Sequence, residues 1–214
     1  IVGNKTVYTY RKALGEQLAI ENNVFADVVV PIPDSGVSAA IGFSQRSNIP
    51  FELGIIRSHY VGRTFIEPSQ SIRQFGVKLK HSVNKSCIEN KKVILIDDSI
   101  VRGTTASKIV KMVYEAGAKE VHLGISCPPI LHPDFYGIDT PNYNQLIASN
   151  YNLKKITKLV GAKSLFFLSL AGTYKAMGCE ERNSHTPQFT DHCFTGEYPI
   201  DVSEILKLNR LTNE

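Results

Sequence analysis

No apolar run in this chain approaches the roughly 20 residues needed to cross a bilayer. The longest candidate, Leu165 to Leu170, is far too short. No secretory leader pattern opens the sequence, so the expectation is a cytoplasmic protein without a membrane partner. Cysteine is scarce: Cys87, Cys127, Cys179 and Cys193 form no C-x-x-C pair and no disulfide-framework spacing. Scattered reduced thiols are the default reading. A net charge of +4 is too small to argue for a nucleic-acid partner. Internal repeats and low-complexity tracts are missing, and the chain opens at Ile1 rather than Met. It therefore reads as a fragment or a processed chain.

What is present is an ordinary globular composition, 43% apolar and 21% charged over 214 residues. That length suits one domain, or one domain with an appendage.

The most informative stretch is Lys92-Val93-Ile94-Leu95-Ile96-Asp97-Asp98, continuing Ser99-Ile100-Val101-Arg102-Gly103-Thr104-Thr105. Its continuous apolar run predicts a strand covered on both faces, as in a parallel sheet. Beyond it, Ile109, Met112, Val113 and Ala116 mark the buried face of a helix that stops at Gly117. The turn between them sits at a strand's carboxyl end, where open α/β sheets place ligands. Amides and hydroxyls of Gly103-Thr104-Thr105 at a helix N-terminus suit a phosphate. Asp97 and Asp98 would repel that phosphate; they suit sugar hydroxyls or a hard cation such as Mg2+. The plainer alternative is that the two acids merely end the strand and cap the helix.

Along the chain, Val2 to Tyr10 reads as a weak strand or extended lead-in, and Leu14 and Leu18 share a helical face ended by Asn22-Asn23. Val28 to Pro33 predicts a second buried strand, followed by Asp34-Ser35-Gly36 and a helix with Val37, Ala40, Ile41 and Ser44 on one face. Ser35 suits an oxyanion or metal contact, or an ordinary helix N-cap. Phe51 to Ile56 predicts another strand. From Arg57 to His81 runs a long segment broken by Gly62, Pro68 and Gly76, whose Arg57, Arg63, Arg73, Lys78 and Lys80 face only Glu67. Such a segment is either a solvated basic loop or a lid over a polyanion. Val121 to Ser126 is the next strand, Leu153 to Val160 a helix ended by Gly161, and Leu165 to Leu170 a last core segment. Alternating strands and helices indicate an α/β fold with a parallel sheet.

Val-Ile-Leu-Ile-Asp-Asp-Ser-Ile-Val-Arg-Gly-Thr-Thr closely resembles the 5-phosphoribosyl-1-pyrophosphate (PRPP) motif of type I phosphoribosyltransferases. In its detail it is similar to the version in the amidophosphoribosyltransferase family. Val30 to Gly36, Tyr60 to Ile66, Phe135 to Asp139 and Cys193 to Pro199 extend the resemblance over nearly the whole chain. It implies the type I phosphoribosyltransferase fold: a central, mostly parallel sheet flanked by helices, with a flexible lid at about 57–81. The expected organisation is a phosphoribosyltransferase domain over 1–175, N-terminally truncated, and a C-terminal extension over 176–214. The family's N-terminal glutaminase domain lies outside the sequence.

By the same resemblance, Ser35, Asp97 and Asp98 bind Mg2+. Ser99, Ile100, Val101, Arg102, Gly103, Thr104 and Thr105 hold the 5-phosphate, and Arg57, Tyr60 and Arg63 reach the pyrophosphate. The implied reaction is displacement of pyrophosphate from PRPP by ammonia, giving 5-phosphoribosylamine, the first committed step of purine synthesis. A glutaminase supplied elsewhere, purine nucleotides as feedback inhibitors and a homo-oligomer are the implied partners. Many bacterial relatives hold a 4Fe–4S cluster through four cysteines; Asp134 and Thr190 stand where two of these lie, which argues against a cluster here. Arg57 stands where relatives often carry lysine, with a different donor geometry. The rival readings are a nucleobase phosphoribosyltransferase, which wants a base-binding hood; a noncatalytic PRPP-binding regulator, which wants a DNA-binding winged helix; and an inactive remnant.

Overall fold

The computed structural model describes residues 5–58, 81–138, 142–203 and 205. The first element is helix α1 (Val7–Glu21), where an extended lead-in is expected from sequence. Local capping overrides the β-branched bias of this stretch: Thr6 accepts a hydrogen bond from the Thr9 amide, starting the helix before Tyr8 and Tyr10. Its predicted stop holds, with Asn22 as C-cap.

Strand β1 (Val28–Pro31) leads through the Pro33–Asp34 turn, which contains a cis peptide bond, into α2 (Val37–Ser47). The face buried by α2 differs from the expected one, since Ala39, Ala40, Gly42 and Phe43 are its buried residues. The helix packs on two neighbours, the sheet and α1, and the bulk of Phe43 sets its rotation. Contact with α1 is backbone to backbone. A Cβ on Gly15 would stand 1.8 Å from the Ala39 carbonyl oxygen, and one on Gly42 2.0 Å from that of Lys12.

The segment expected as a strand over Phe51 to Ile56 divides. Phe51 makes an isolated parallel bridge to Val29, and β2 (Ile55–Arg57) pairs antiparallel with β3 (His81–Val83) in a separate ribbon. Gly54 allows the departure: its missing side chain lets the backbone pass over Val30, whose Cγ2 would lie 2.9 Å from a Cβ. Short α3 (Lys85–Ile88) then precedes β4 (Lys92–Asp97).

Helix α4 (Thr104–Glu115) and β5 (Glu120–Ile125) follow, then a 3-10 turn at Tyr143–Gln145 and α5 (Ile147–Asn150). Next come α6 (Leu153–Val160), capped by left-handed Gly161, β6 (Ser164–Phe167), α7 (Leu170–Ala176) and a last turn, α8 (His192–Thr195).

The main sheet has the order β1-β4-β5-β6, every pair parallel. Burial on both faces is visible within β4. Val93 and Leu95 pack with Ile109, Val113, Ile156 and Val160, whereas Ile94 and Ile96 pack with Leu18, Phe43 and Phe166. Among the described residues, no helix is long and apolar enough to cross a membrane. The sheet thus brings the carboxyl ends of β1 and β4 side by side, with Ile32 N donating to the Ile96 carbonyl at 2.8 Å.

Candidate active site

A cavity of about 580 Å3 opens outside those strand ends. It is lined by Ser35, Arg57 and every residue from Asp97 to Thr105. Residues chosen from separate motifs therefore meet around one space. Tyr60 and Arg63, and nearly all of the basic 57–81 segment, lie outside the described residues.

On the acidic side, the Asp98 amide donates to Asp97 Oδ1 at 2.9 Å. The Asp97 carbonyl is held from β5 by the amide and hydroxyl of Ser126, at 2.9 and 3.1 Å. Burial, and then the charge and hydrogen bond of Asp98, push the Asp97 carboxyl well above its usual range. Two crowded carboxylates at a buried strand end favour a proton or a cation between them.

On the phosphate side, Gly103 takes a left-handed backbone (φ 77°), so the chain turns sharply into α4. That helix start has no side-chain capping bond and no acidic residue in its first turn. Thr104 and Thr105 of this first turn line the cavity, at the positive end of the helix dipole. Lys108, one helical turn beyond Thr104, adds a cation to the same lining. Arg102 leans outward, its Nε donating to Gln145 Oε1 at 2.9 Å.

The third wall belongs to the Pro33-to-Gly36 turn and the β2–β3 ribbon. The start of α2 is uncapped by any side chain, so the N-cap role considered for Ser35 is not realised. Arg57 Nη1 donates to Asp34 Oδ2 at 2.6 Å, while its buried Nε has no hydrogen-bond partner among the described residues. Across the ribbon His81 pairs in register with Arg57 and also lines the cavity. Sequence reasoning missed His81 and Lys108. Lys108 was accessible from its i,i+4 relation to Thr104; His81 needed the pairing of β3 with β2.

These features together form an α/β cavity whose helix start suits an anion, with a carboxylate pair beside it. The family described as the phosphoribosyl transferase domain matches residues 14–134. The chain belongs to this family. Among similar proteins, the amidophosphoribosyltransferase of Rhizobium etli is 60% identical over 200 residues, covering 93% of this chain and 40% of the relative. That of Bacillus subtilis is 50% identical over 196 residues, covering 92% and 41% respectively. A solved structure of the B. subtilis glutamine PRPP amidotransferase, complexed with ADP and GMP, superposes with a TM-score of 0.83 at 50% identity. It aligns with 93% of this chain and 44% of that one. The chain spans about two fifths of the length of the curated relatives it matches. The fold is that of the type I phosphoribosyltransferases, as the resemblance implied.

Proposed function

We propose that this chain is the phosphoribosyl-transfer part of an amidophosphoribosyltransferase, which replaces the pyrophosphate of PRPP with ammonia to give 5-phosphoribosylamine. The observation that carries this reading is the convergence of Ser35, Arg57 and Asp97 to Thr105 on one cavity, a phosphate cradle beside a carboxylate pair. A sugar phosphate bearing a second polyanion has that distribution of charge. Residues 1–175 are proposed as the catalytic body and 176–214 as an extension.

The first turn of α4 binds the 5-phosphate through backbone amides and the Thr104 and Thr105 hydroxyls. Asp97 and Asp98 accept hydrogen bonds from the ribose hydroxyls and offset positive charge growing on the ring as the C1–O bond breaks. Pyrophosphate leaves with the bonding pair toward Arg57, and with the lid residues Tyr60 and Arg63 in this reading. Ammonia forms the C1–N bond and releases a proton to solvent. It needs no strong base, being already a competent nucleophile. Asp97, Asp98 and Ser35 offer oxygen donors on this cavity, which fits Mg2+, and they are the residues that would hold it. When bound, the ion supplies charge neutralisation to the leaving pyrophosphate.

Glutamine serves as nitrogen source only where a glutaminase domain is supplied. Purine nucleotides, present in the B. subtilis structure as ADP and GMP, are proposed here as feedback ligands, and a homo-oligomer as the working assembly. A cytoplasmic location accompanies this reading.

Pyrophosphate release from PRPP with Mg2+, in the presence of ammonium, glutamine or no amine, tests the proposal. Release with ammonium alone, abolished in Asp97→Asn/Asp98→Asn, is the expected result. Mg2+-dependent PRPP binding without any release would overturn it in favour of a noncatalytic PRPP binder.

A further inference from the structure

A second buried polar cluster lies away from the cavity, where the segment after β5 meets α8. Asp134 Oδ1 accepts hydrogen bonds from the amides of Tyr136 and Ile138, at 2.7 and 3.0 Å, and its Oδ2 meets His192 Nε2 at 2.8 Å. The two side chains are only 5% and 6% exposed. The proton is assigned to Nε2 because that nitrogen faces the carboxylate. The imidazole is walled by Tyr136, edge-on, and Tyr198, tilted, each with its ring centroid 5.1 Å away.

Further bonds close the same seam. The amides of Leu131 and His132 both donate to the Cys193 carbonyl, at 2.9 and 3.0 Å, and Tyr198 Oη donates to the Pro133 carbonyl at 2.8 Å. One step along, buried Asp191 accepts from Tyr174 Oη of α7 and from Arg182, which also reaches Glu197.

An iron–sulfur cluster of the kind held by many relatives does not fit these residues. It requires thiolates, and Asp134 presents a carboxylate whose oxygens are already engaged. Cys193, the thiol beside it, is pushed up to about 11 by burial and by the charge of Asp134.

We infer that the Asp134–His192 pair is a metal-free latch that takes the cluster's place, fastening residues 191–198 to the 131–136 segment by buried hydrogen bonds. The join needs neither iron nor sulfide and is indifferent to oxygen. Its removal loosens the tail while leaving the main sheet intact, because the hydrogen bonds of the seam join residues 131–138 to residues 191–198. This inference is independent of the transfer chemistry, and its test uses no turnover.

The test is hydrogen exchange on the full chain, comparing His192→Phe and Asp134→Asn with wild type. Removing one partner of a buried pair strands the other, so amides of Leu131, His132 and Phe194 are expected to exchange about 100-fold faster in His192→Phe, with β4 amides unchanged. Asp134→Asn is the milder variant should the phenylalanine variant fail to fold, and it too is expected to accelerate the seam selectively. Unchanged exchange at the seam in the folded variants overturns the latch. In parallel, wild type is incubated anaerobically with ferrous iron and sulfide, and separately with ferrous iron or zinc alone. The expectation is no stoichiometric uptake and no visible charge-transfer absorption. A stable cluster, or a mononuclear metal bound at Asp134, His192 and Cys193, overturns the metal-free assignment.

Discussion

Gly36→Ala sets two physical effects against each other with opposite sign. The backbone of Gly36 is ordinary (φ −76°), so alanine is conformationally allowed there. The entropy of the unfolded chain then favours the variant by about 0.4–1 kcal/mol. Space says the reverse. A Cβ at this position would stand 2.3 Å from the Ile96 carbonyl oxygen and 2.8 Å from that of Ile32. Both are backbone atoms in the β1–β4 crossing, where Ile32 N bonds Ile96 O, so neither can swing aside as a side chain would. Overpacking of this kind costs about 1–3 kcal/mol. For a chain of this size the overpacking alone lowers Tm by about 2–4 °C per kcal/mol, or about 2–12 °C before the smaller entropic gain is set against it. Urea and thermal unfolding followed by circular dichroism measure the sign, and calorimetry with PRPP and Mg2+ measures the site. The expected result is a less stable protein with weaker PRPP binding, since the Pro33-to-Gly36 turn must move away from the acid pair. A variant as stable as wild type, or more so, with unchanged PRPP affinity, would refute the claim that this glycine fixes the distance between the two strand ends.

Two further perturbations address charge. The Asp97 carboxyl is raised in the folded protein above its usual value of 3.8, so its contribution to stability is fully present below the unfolded value and is lost as pH rises through the folded one. In urea titrations without ligand or Mg2+, Asp97→Asn should therefore remove a fall in stability that wild type shows on raising pH from about the ordinary aspartate range; parallel pH profiles for the two proteins would sink this account. The Arg57–Asp34 pair is partly exposed, at 34% and 55%, and Asp34→Asn should change stability by no more than about 1 kcal/mol. It should nonetheless tighten binding of inorganic pyrophosphate by releasing Arg57 from its counter-ion, and weaker pyrophosphate binding in calorimetry would contradict that.

Much of the site was legible along the chain because its parts are local. Four buried residues, Val93 to Ile96, running into Asp97-Asp98, then Arg102-Gly103-Thr104-Thr105, encode strand, turn and helix within one segment. Each carries its own physical signature: two-sided burial, a left-handed glycine, and unpaired amides at a helix start. The periodicity that ended α6 at Gly161 and carried α4 through Val113 is local in the same way. One failure was local, the Thr6 cap; the others were choices made by partners distant in sequence. Thr6 capped a helix where β-branched residues suggested extension; α1 and the sheet together, with Phe43 between them, chose the buried face of α2; and Gly54 steered Ile55–Arg57 out of the main sheet toward His81–Val83.

The sequence by itself determined the chemistry available: paired carboxylates, a Gly-Thr-Thr turn suited to a phosphate, a basic segment, and Asp134 and Thr190 where the resemblance puts cluster cysteines. Tertiary structure alone decided which of these groups meet. It paired Arg57 with Asp34, brought His81 and Lys108 to the cavity, and joined Asp134 to His192 across the chain. The reason is that hydrogen bonds within a segment follow from spacing, whereas contacts between segments depend on how the parallel sheet orders its strands and which faces its helices bury.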